Sequence, residues 1–332
     1  MRPPRPLPSR LRSDAATQEG LVNKAQCDAA GLDKHAVARL VKKGTWTRVT
    51  RRVYDTDPVP VERRQRDDYH DHVRRRAAWI GMLAVPDGIA TGACALALHG
   101  VAGLPADLVP EAARPGGADA AVGGGGVLRR YRAFPVERYR GRRIAAFVHA
   151  LAQALPDLPR DAAVAVLSNA LHEGHIDQDG LRRVRELLRG RRGAARVHSL
   201  FCLVDGRDAS PAETFARLSC IDHGVPPDGQ QVTFTSGGVF LGRVDFVWSL
   251  PDGRYVVVEI DGRAFHSGAA MLADDALRQN GLVGTDRLIV LRFPAARSMA
   301  DDDGVGREIA ERLARLGWVQ GTAVGTSVEL GG

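Results

Sequence analysis

Cysteine is scarce and unpatterned in this sequence. The four cysteines, Cys27, Cys94, Cys202 and Cys220, are scattered, with no C-x-x-C pair and no histidine at the spacing of a zinc site. Disulfide frameworks and structural zinc sites both depend on closely patterned cysteines. The sequence therefore argues against both and favours a reducing compartment.

The sequence also lacks the features of a signal peptide and of a membrane span. Its first six residues are rich in proline and arginine, where a signal peptide would have an apolar core. The longest apolar stretch, residues 77–104, is interrupted by Pro-Asp-Gly at residues 86–88 and does not fit one membrane-spanning helix. We therefore expect a cytoplasmic protein with no membrane partner.

Lysine is nearly absent, whereas arginine and alanine are abundant. Only Lys24, Lys34, Lys42 and Lys43 occur in 332 residues, yet the net charge is +7 and the pI is about 9.6. A basic charge suits a polyanionic partner such as nucleic acid. A GC-rich genome would impose the same arginine bias, so the charge by itself has modest weight.

Residues 16–60 have the pattern of a small winged helix-turn-helix. A short helix over residues 21–30 ends at Gly31, and Asp33 can cap a second helix that ends at Gly44. Residues 46–54 then alternate like a β-ribbon. Such a unit places its second helix in the major groove and its ribbon against phosphate, although a small helical lid with a solvated face has the same pattern. The basic residues predicted to contact double-stranded DNA are His35, Arg39, Lys42, Lys43, Arg48, Arg51 and Arg52.

This segment resembles the N-terminal winged-helix domain of AbiEi-type antitoxins, a family of type IV toxin–antitoxin systems. The resemblance covers about 40 residues and implies DNA binding more than an antitoxin role. It leaves open a cognate toxin or a repair protein as a partner. The matching residues are Gly20–Val22, Ala29–Leu32, Val41–Gly44, Arg48–Val49 and Val53–Tyr54.

The middle of the chain, residues 61–205, is predicted to be mostly helical with a small β element. Helices are predicted over residues 69–85, 91–99, 161–171 and 178–188, and strands within residues 127–143. The arginines of the β element could follow a phosphate backbone or form a solvated face. His172 and His175 lie at a helix end without a third ligand, which indicates an interaction with the helix dipole rather than a metal site.

An acidic hairpin carries the strongest chemical signal. Two strands are predicted on either side of the Pro-Asp-Gly turn at residues 251–253. If Leu250 pairs with Arg254, then Asp245 lies directly opposite Glu259. Because side chains alternate along a strand, Asp261 joins them on the same face. The opposite, apolar face is predicted to comprise Val244, Phe246, Trp248, Val256, Val258 and Ile260.

Three carboxylates on one face of an apolar hairpin repel one another, and a divalent cation removes that cost. Oxygen ligands suit Mg²⁺ or Mn²⁺, and a water activated by such a metal can hydrolyse a phosphodiester. We therefore predict that Asp245, Glu259 and Asp261 are metal ligands. The competing interpretation is an inert cluster in which Arg243, Arg263 or Arg278 pairs with the acids.

The C-terminal third resembles the PD-(D/E)xK nuclease superfamily, in particular the unknown-function domains related to very-short-patch-repair endonucleases. The resemblance covers about 85 residues with every element in order. It implies that Asp245 and Glu259 hold the metal with Asp261 nearby. It also implies that Glu213 is the helix acid, that His266 is a candidate base, and that Asp275 and Arg278 face the site. The matching segments are Ser210–Glu213, Arg243–Asp245, Val258–Gly262, His266, Asp275–Leu282 and Val290–Phe293.

Two features depart from the superfamily pattern or have a simpler explanation. Asp261 occupies the position of the catalytic lysine, so charge stabilisation would have to come from Arg263, Arg278, His266 or the metal. Glu213 stands at the third position of a helix that Ser210 can cap, where a capping box explains it without chemistry. His266 could likewise be a structural histidine.

We therefore predict a multidomain α/β protein. A basic disordered leader (residues 1–15), the winged helix (16–60) and the α-rich region (61–205) precede a restriction-endonuclease-like mixed sheet flanked by helices (206–320) and a flexible tail (321–332). The predicted function is metal-dependent nicking of DNA. The alternatives are a non-catalytic, antitoxin-like transcriptional regulator with a degenerate nuclease fold and an RNA-directed nuclease.

Overall fold

The computed structural model describes residues 7–115, 126–131, 133–261, 285–300, 304–321 and 323–330. Its helices and mixed sheets form two compact units, which confirms a multidomain α/β protein. The first unit runs to Leu158 and includes Ile176–His198, and the second comprises Pro159–His175 and the residues from Ser199 onward. Within these ranges, none of the helices has the length and apolar character needed to cross a membrane.

The first unit contains two small sheets and several helices, numbered here in chain order. Its helices are α1 (Ser9–Thr17), α2 (Lys24–Ala29), α3 (Lys34–Lys42), α4 (Tyr69–Ala84), α5 (Gly92–His99), α6 (Phe147–Ala154), α8 (Gln178–Leu187) and α9 (Ala194–His198), with a 3-10 turn at Val61–Arg63. Its strands are β1 (Leu21–Asn23), β2 (Thr47–Arg48), β3 (Val53–Asp55), β4 (Ile89–Ala90), β5 (Glu111–Ala113), β6 (Val127–Arg129), β7 (Val136–Tyr139) and β8 (Arg142–Ala145).

The N-terminal part of this unit is built from α1, β1, α2, α3, β2 and β3. The strands form an antiparallel sheet in the order β1-β3-β2. Asn23 ends β1 and starts α2, because its side chain accepts a hydrogen bond from Gln26 N while Gln26 caps it in return. Asp33 caps α3 through Ala36 N, as predicted.

The structure differs from the sequence prediction at two places in this region. Residues 9–17, largely within the predicted disordered leader, form helix α1, because Leu11 and Ala15 are buried against Val22 and Trp46. The first three residues of the predicted helix over 21–30 form strand β1 instead, paired with β3. Pairing along the sheet therefore overrides the local helical pattern.

The second sheet of the first unit has the strand order β6-β5-β4-β8-β7. The four helices predicted in the middle of the chain are confirmed as α4, α5, α7 and α8, with α7 spanning Arg160–His172 in the second unit, and the predicted strands are confirmed as β6 to β8. Helix α5 ends at Gly100, which has a left-handed conformation (φ 83°) that glycine adopts without steric cost.

The second unit is one five-stranded sheet with helices. Its helices are α7, α10 (Pro211–Asp222), α11 (Ala295–Ala300) and α12 (Gly304–Arg315), with a 3-10 helix at Ser199–Leu203. Its strands are β9 (Gly229–Ser236), β10 (Val239–Ser249), β11 (Tyr255–Asp261), β12 (Leu288–Pro294) and β13 (Ser327–Leu330). The order is β12-β11-β10-β9-β13, and the β11–β12 and β9–β13 pairs are parallel.

Apolar side chains cover both faces of this sheet. Helices α10 and α12 pack on one face, where Phe246 and Trp248 meet Val258 and Ile309. The other face holds a second cluster, and Val244 belongs to it. The prediction that Val244 shares a face with Phe246 is therefore wrong, because the two side chains belong to the clusters on opposite faces of the sheet.

The end of the chain also differs from the prediction. Residues 327–330, predicted to be part of a flexible tail, form strand β13 and pair with β9 from Thr233 to Ser236. Leu330 is buried in the second cluster of the sheet. Apolar burial together with backbone pairing therefore orders this segment.

Candidate functional site

Helix α10 begins with residues that determine both its start and its chemistry. Ser210 is the cap, with its hydroxyl accepting a hydrogen bond from Glu213 N (3.3 Å), and Pro211 occupies the first helical position, where its missing N–H costs nothing. The Glu213 carboxylate turns back to this end of the helix. It accepts hydrogen bonds from Ala209 N (2.9 Å) and from Ser210 Oγ (3.0 Å). Glu213 therefore takes part in capping this helix end, but its carboxylate binds the backbone N–H of Ala209 rather than that of Ser210, as a capping box would require.

A buried ion pair anchors the same end of the helix. Arg217 donates from Nε to Asp208 Oδ1 (2.9 Å) and from Nη2 to Asp208 Oδ2 (2.6 Å), and the Thr214 hydroxyl donates to the same carboxylate (2.9 Å). A further N–H of Arg217 reaches Leu203 O. Two-pronged pairing of this kind fixes orientation as well as distance. It therefore determines where α10 presents Glu213.

The acidic hairpin has the predicted register. Phe246 pairs with Val258, and Leu250 N donates to Arg254 O (2.8 Å). Strand pairing in this register runs from Ser249–Tyr255 to Phe246–Val258 and ends one pair before Asp245 and Glu259. Asp245 Oδ2 accepts a short hydrogen bond from Ile260 N (2.6 Å), which holds its carboxylate against β11.

Gln231, on the neighbouring strand β9, connects the strand acid to the helix acid. Its Nε2 donates to Glu213 Oε2 (2.9 Å) and to Asp245 Oδ1 (3.3 Å). Its backbone has φ 51°, a left-handed conformation that residues other than glycine rarely adopt. No sequence signal indicates this residue, since glutamine has no preference for that conformation.

Both connected carboxylates have raised proton affinities. Burial and the nearby charge of Asp245 raise the pKa of Glu213 to about 7, in spite of its hydrogen-bond donors. Burial also raises the pKa of Asp245, and the charge of Asp261 adds to this increase. Within the described residues, Glu213 and Asp245 accept hydrogen bonds but form no ion pair. The two acids therefore form a negatively charged site that would gain from a cation.

The other predicted ligands have different surroundings. Glu259 is half-buried and forms an ion pair with Arg292 (Oε2 to Nη2, 2.5 Å), its partner in the parallel register of β11 and β12. The pairing of Glu259 with Arg292 was missed, because the ion-pair partners expected from the sequence were Arg243, Arg263 and Arg278. Asp261 is exposed at the end of β11.

Three predicted site residues, His266, Asp275 and Arg278, fall in residues 262–284 and lie outside the described residues, as does Arg263. Across the ranges that the structure covers, no three His, Cys, Asp or Glu side chains form a group that could hold a metal ion. The described residues of the site are therefore two converging acids, Glu213 and Asp245, and a third acid, Glu259, that forms an ion pair with Arg292.

The predicted DNA-contacting residues share one property in the structure. All seven are exposed, on α3 and on the segment from β2 to β3: His35, Arg39, Lys42, Lys43, Arg48, Arg51 and Arg52. The guanidinium group of Arg48 stabilises the turn between the strands, because it donates hydrogen bonds to Thr50 O and Arg51 O (both 3.2 Å). The other arginine and lysine side chains of this set present their charge to solvent.

The raised pKa of Glu213 predicts a specific pH dependence of stability. The folded protein holds this proton more tightly than the unfolded chain does, so the contribution is complete below the ordinary value of 4.5 and is lost as the pH rises through about 7. In EDTA, we expect the wild type to lose about 3 kcal/mol relative to Glu213→Gln over this interval. Urea unfolding at a series of pH values measures the difference. Glu311→Gln, at an exposed helix position, is the control, and a Glu213→Gln profile parallel to the wild type would contradict the assignment.

No known protein family matches the chain. An uncharacterized protein of Mycobacterium tuberculosis, found in strains H37Rv and CDC 1551, is 32% identical over 143 residues, which are 43% of this chain. The match spans about half (52%) of the length of these curated relatives.

Proposed function

We propose that this protein binds double-stranded DNA and that its second unit is a metal-dependent, endonuclease-like domain that nicks one strand. The observation that supports this most directly is the Gln231 amide shared by Glu213 and Asp245. It joins a helix acid to a strand acid, the arrangement that the resemblance to the PD-(D/E)xK superfamily implies. Two adjacent acids with raised pKa values, and with no ion-pair partner among the described residues, are an expensive arrangement for a purely structural cluster.

The donor atoms fit a hard divalent cation, Mg²⁺ or Mn²⁺. Glu213 and Asp245 supply carboxylate oxygens, and Glu259 could supply another on exchanging its contact with Arg292. Asp261 is close enough for its charge to raise the pKa of Asp245. When bound, such a cation would supply Lewis acidity and an activated water for phosphodiester hydrolysis.

The chain's own residues have separable roles in this proposal. The N–H of Ile260 fixes one oxygen of Asp245, so the direction of the other is constrained. Glu213, whose pKa is about 7, can hold or release a proton at neutral pH while Ser210 and Ala209 keep it in place. Arg292 lies beside Glu259 and supplies positive charge where Asp261 replaces the expected lysine.

A plasmid-nicking assay tests the proposal. Wild-type protein is incubated with supercoiled plasmid in Mg²⁺, in Mn²⁺ and in EDTA, and open circles are separated from linear DNA on a gel. We expect open circles with either metal and none in EDTA. Cleavage of a labelled RNA, and not of the plasmid, in the same assay would identify an RNA-directed nuclease. Cleavage that continues in EDTA, or no cleavage with any metal, would contradict the proposal.

We further propose that the exposed basic residues of the N-terminal part form the DNA-binding face of a winged helix. The supporting observations are the arrangement of α2 and α3 beside an antiparallel sheet and the exposure of all seven residues. Contact with phosphate releases counterions, so affinity falls with salt concentration in proportion to the number of contacts.

This face predicts a change in salt dependence. Removing Arg39 and Lys42 together, as Arg39→Gln/Lys42→Gln, should weaken duplex binding and reduce the slope of log affinity against log salt by about 2. Fluorescence anisotropy at several salt concentrations measures the slope. Arg307→Gln removes an exposed charge from α12 and is the control. If the double variant and the wild type had equal slopes, DNA would bind at a different surface of the protein.

One observation favours a second function, a non-catalytic, antitoxin-like regulator. The ion pair between Arg292 and Glu259 satisfies a carboxylate that the active site would need. Retention of duplex DNA on a gel with no cleavage of any substrate is the outcome that this function predicts. A cognate toxin or a repair protein would then be its partner, in the cytoplasm, where cysteines remain reduced.

A further inference from the structure

A second candidate site lies in the first unit. It is a cavity of about 660 Å³ between the end of β6, α6 and the chain after α8. This volume is within the range of about 300 to 1,000 Å³ that is usual for small-molecule sites. The residues of the cavity that carry chemistry are Arg129, Tyr131, Gln153, Asp157, Arg191 and Arg192.

A buried, unsatisfied donor lies in the wall of this cavity. Gln153 is only 5% exposed, and its Oε1 accepts a hydrogen bond from Gly92 N (3.1 Å). That bond fixes the orientation of the amide. Its Nε2 is buried and has no hydrogen-bond partner. A buried N–H group without an acceptor is costly, so a ligand that brings an acceptor oxygen would be favoured here.

The charge of the cavity indicates an anion. Three arginines line it against one carboxylate, Asp157. Arg129 is occupied, because it pairs with Glu111 and Asp157 (both 2.6 Å). Arg191 is held in place by two backbone carbonyls, through Nε by Leu187 O (2.9 Å) and through Nη1 by Ala152 O (3.4 Å). Among the described residues this leaves its Nη2 available, and Arg192 is exposed. Two guanidinium groups therefore remain to bind phosphate, a geometry that arginine suits well.

Tyr131 adds an aromatic surface beside these arginines. The edge of its ring packs against Phe134 (centroids 5.5 Å apart), and the Arg191 guanidinium lies 5.9 Å from the ring centroid. Burial raises the pKa of its hydroxyl, so the ring remains neutral. Aromatic rings and guanidinium planes are the surfaces on which nucleobases stack.

We propose that this cavity binds a nucleoside 5′-phosphate, either as a free nucleotide or as an unpaired nucleotide of a strand. The base stacks at Tyr131 and directs a carbonyl oxygen to Gln153 Nε2, while Arg191 and Arg192 bind the phosphate. This site belongs to the first unit and requires no metal, so it is independent of the proposed nuclease activity.

Calorimetry in EDTA tests this with the full chain and four probes: thymidine 5′-monophosphate, thymidine, inorganic phosphate and a short oligothymidylate. We expect the monophosphate to bind at least about tenfold more tightly than thymidine or phosphate alone, since each lacks one set of contacts. Tighter binding of the oligonucleotide that Tyr131→Ala weakens would identify a strand as the source, and oligonucleotide binding that Tyr131→Ala leaves unchanged would identify the free nucleotide. Phosphate binding as tightly as the monophosphate would overturn the proposal.

Substitutions in the cavity test whether the monophosphate binds there. Arg192→Gln and Tyr131→Ala should each weaken monophosphate binding about tenfold, whereas Arg189→Gln, an exposed arginine outside the cavity, should not. Gln153→Glu keeps the oxygen that accepts from Gly92 but replaces the free donor with an acceptor, so it should abolish binding. Thermal unfolding of each variant shows whether the fold is retained. Unchanged binding in a folded Arg192→Gln or Tyr131→Ala protein would overturn the assignment.

Discussion

Asp208→Ala is expected to lower the free energy of unfolding by about 3 to 5 kcal/mol, because it leaves the Arg217 guanidinium buried without its counterion. Arg217 and Asp208 are among the most deeply buried charged residues of the second unit, with side chains 5% and 0% exposed. The pair affects the free energy of unfolding less through net attraction than through the penalty for leaving one charge buried without the other. The measurement is urea or thermal unfolding of the wild type and the variant.

Two further proteins make this prediction specific. Asp252→Ala breaks an exposed pair with Arg254 and should change stability far less than Asp208→Ala does. The double variant Asp208→Ala/Arg217→Met removes both charges and should recover much of the loss. If Asp208→Ala cost no more than Asp252→Ala, the pair would not anchor helix α10.

Asp245→Asn and Glu213→Gln are each expected to reduce metal-dependent nicking by roughly 100-fold or more, which corresponds to about 2.7 kcal/mol in the activation barrier. Each substitution nearly preserves shape but removes one negative charge. Asp245→Asn loses one of the two contacts that its oxygens make, because an amide has only one acceptor oxygen for Ile260 N and Gln231 Nε2. Initial rates of plasmid nicking at saturating Mg²⁺ measure the effect.

Glu308→Gln, at an exposed position of α12, is the matched control for loss of a carboxylate. Both site variants should remain folded in EDTA, and above neutral pH Glu213→Gln should be more stable than the wild type. Activity within threefold of the wild type in both folded variants would show that these acids do not take part in cleavage. Loss of nicking activity in only one variant would show that only that acid, Glu213 of the helix or Asp245 of the strand, takes part in cleavage.

The hairpin at the centre of the proposed site was predictable because its determinants are local. The Pro-Asp-Gly turn sets which residues face each other, and period-two alternation then assigns each side chain to a face. The Leu250–Arg254 pairing confirms the register that the sequence predicted. The start of α10 was equally predictable, since Ser210 and Pro211 are strong local signals.

The parts that were missed depend on contacts between distant segments. Val244 belongs to the cluster on the other face from Phe246, next to the place where Gln231 has a left-handed backbone and its side chain binds Asp245. No spacing rule places a glutamine of β9 between acids of α10 and β10. The pairing of Arg292 with Glu259 likewise depends on the parallel register of two strands separated by residues 262–287.

Strand β13 has a practical consequence for handling the protein. It covers the side of β9 that faces away from β10. Proteolytic loss of residues 327–330, or their displacement by a bulky fusion, would leave the backbone donors and acceptors of β9 unpaired over its second half. An open edge of this kind invites strand addition between molecules. Self-association that follows trimming, and that a synthetic peptide of Ser327–Leu330 suppresses, would identify this edge as its cause.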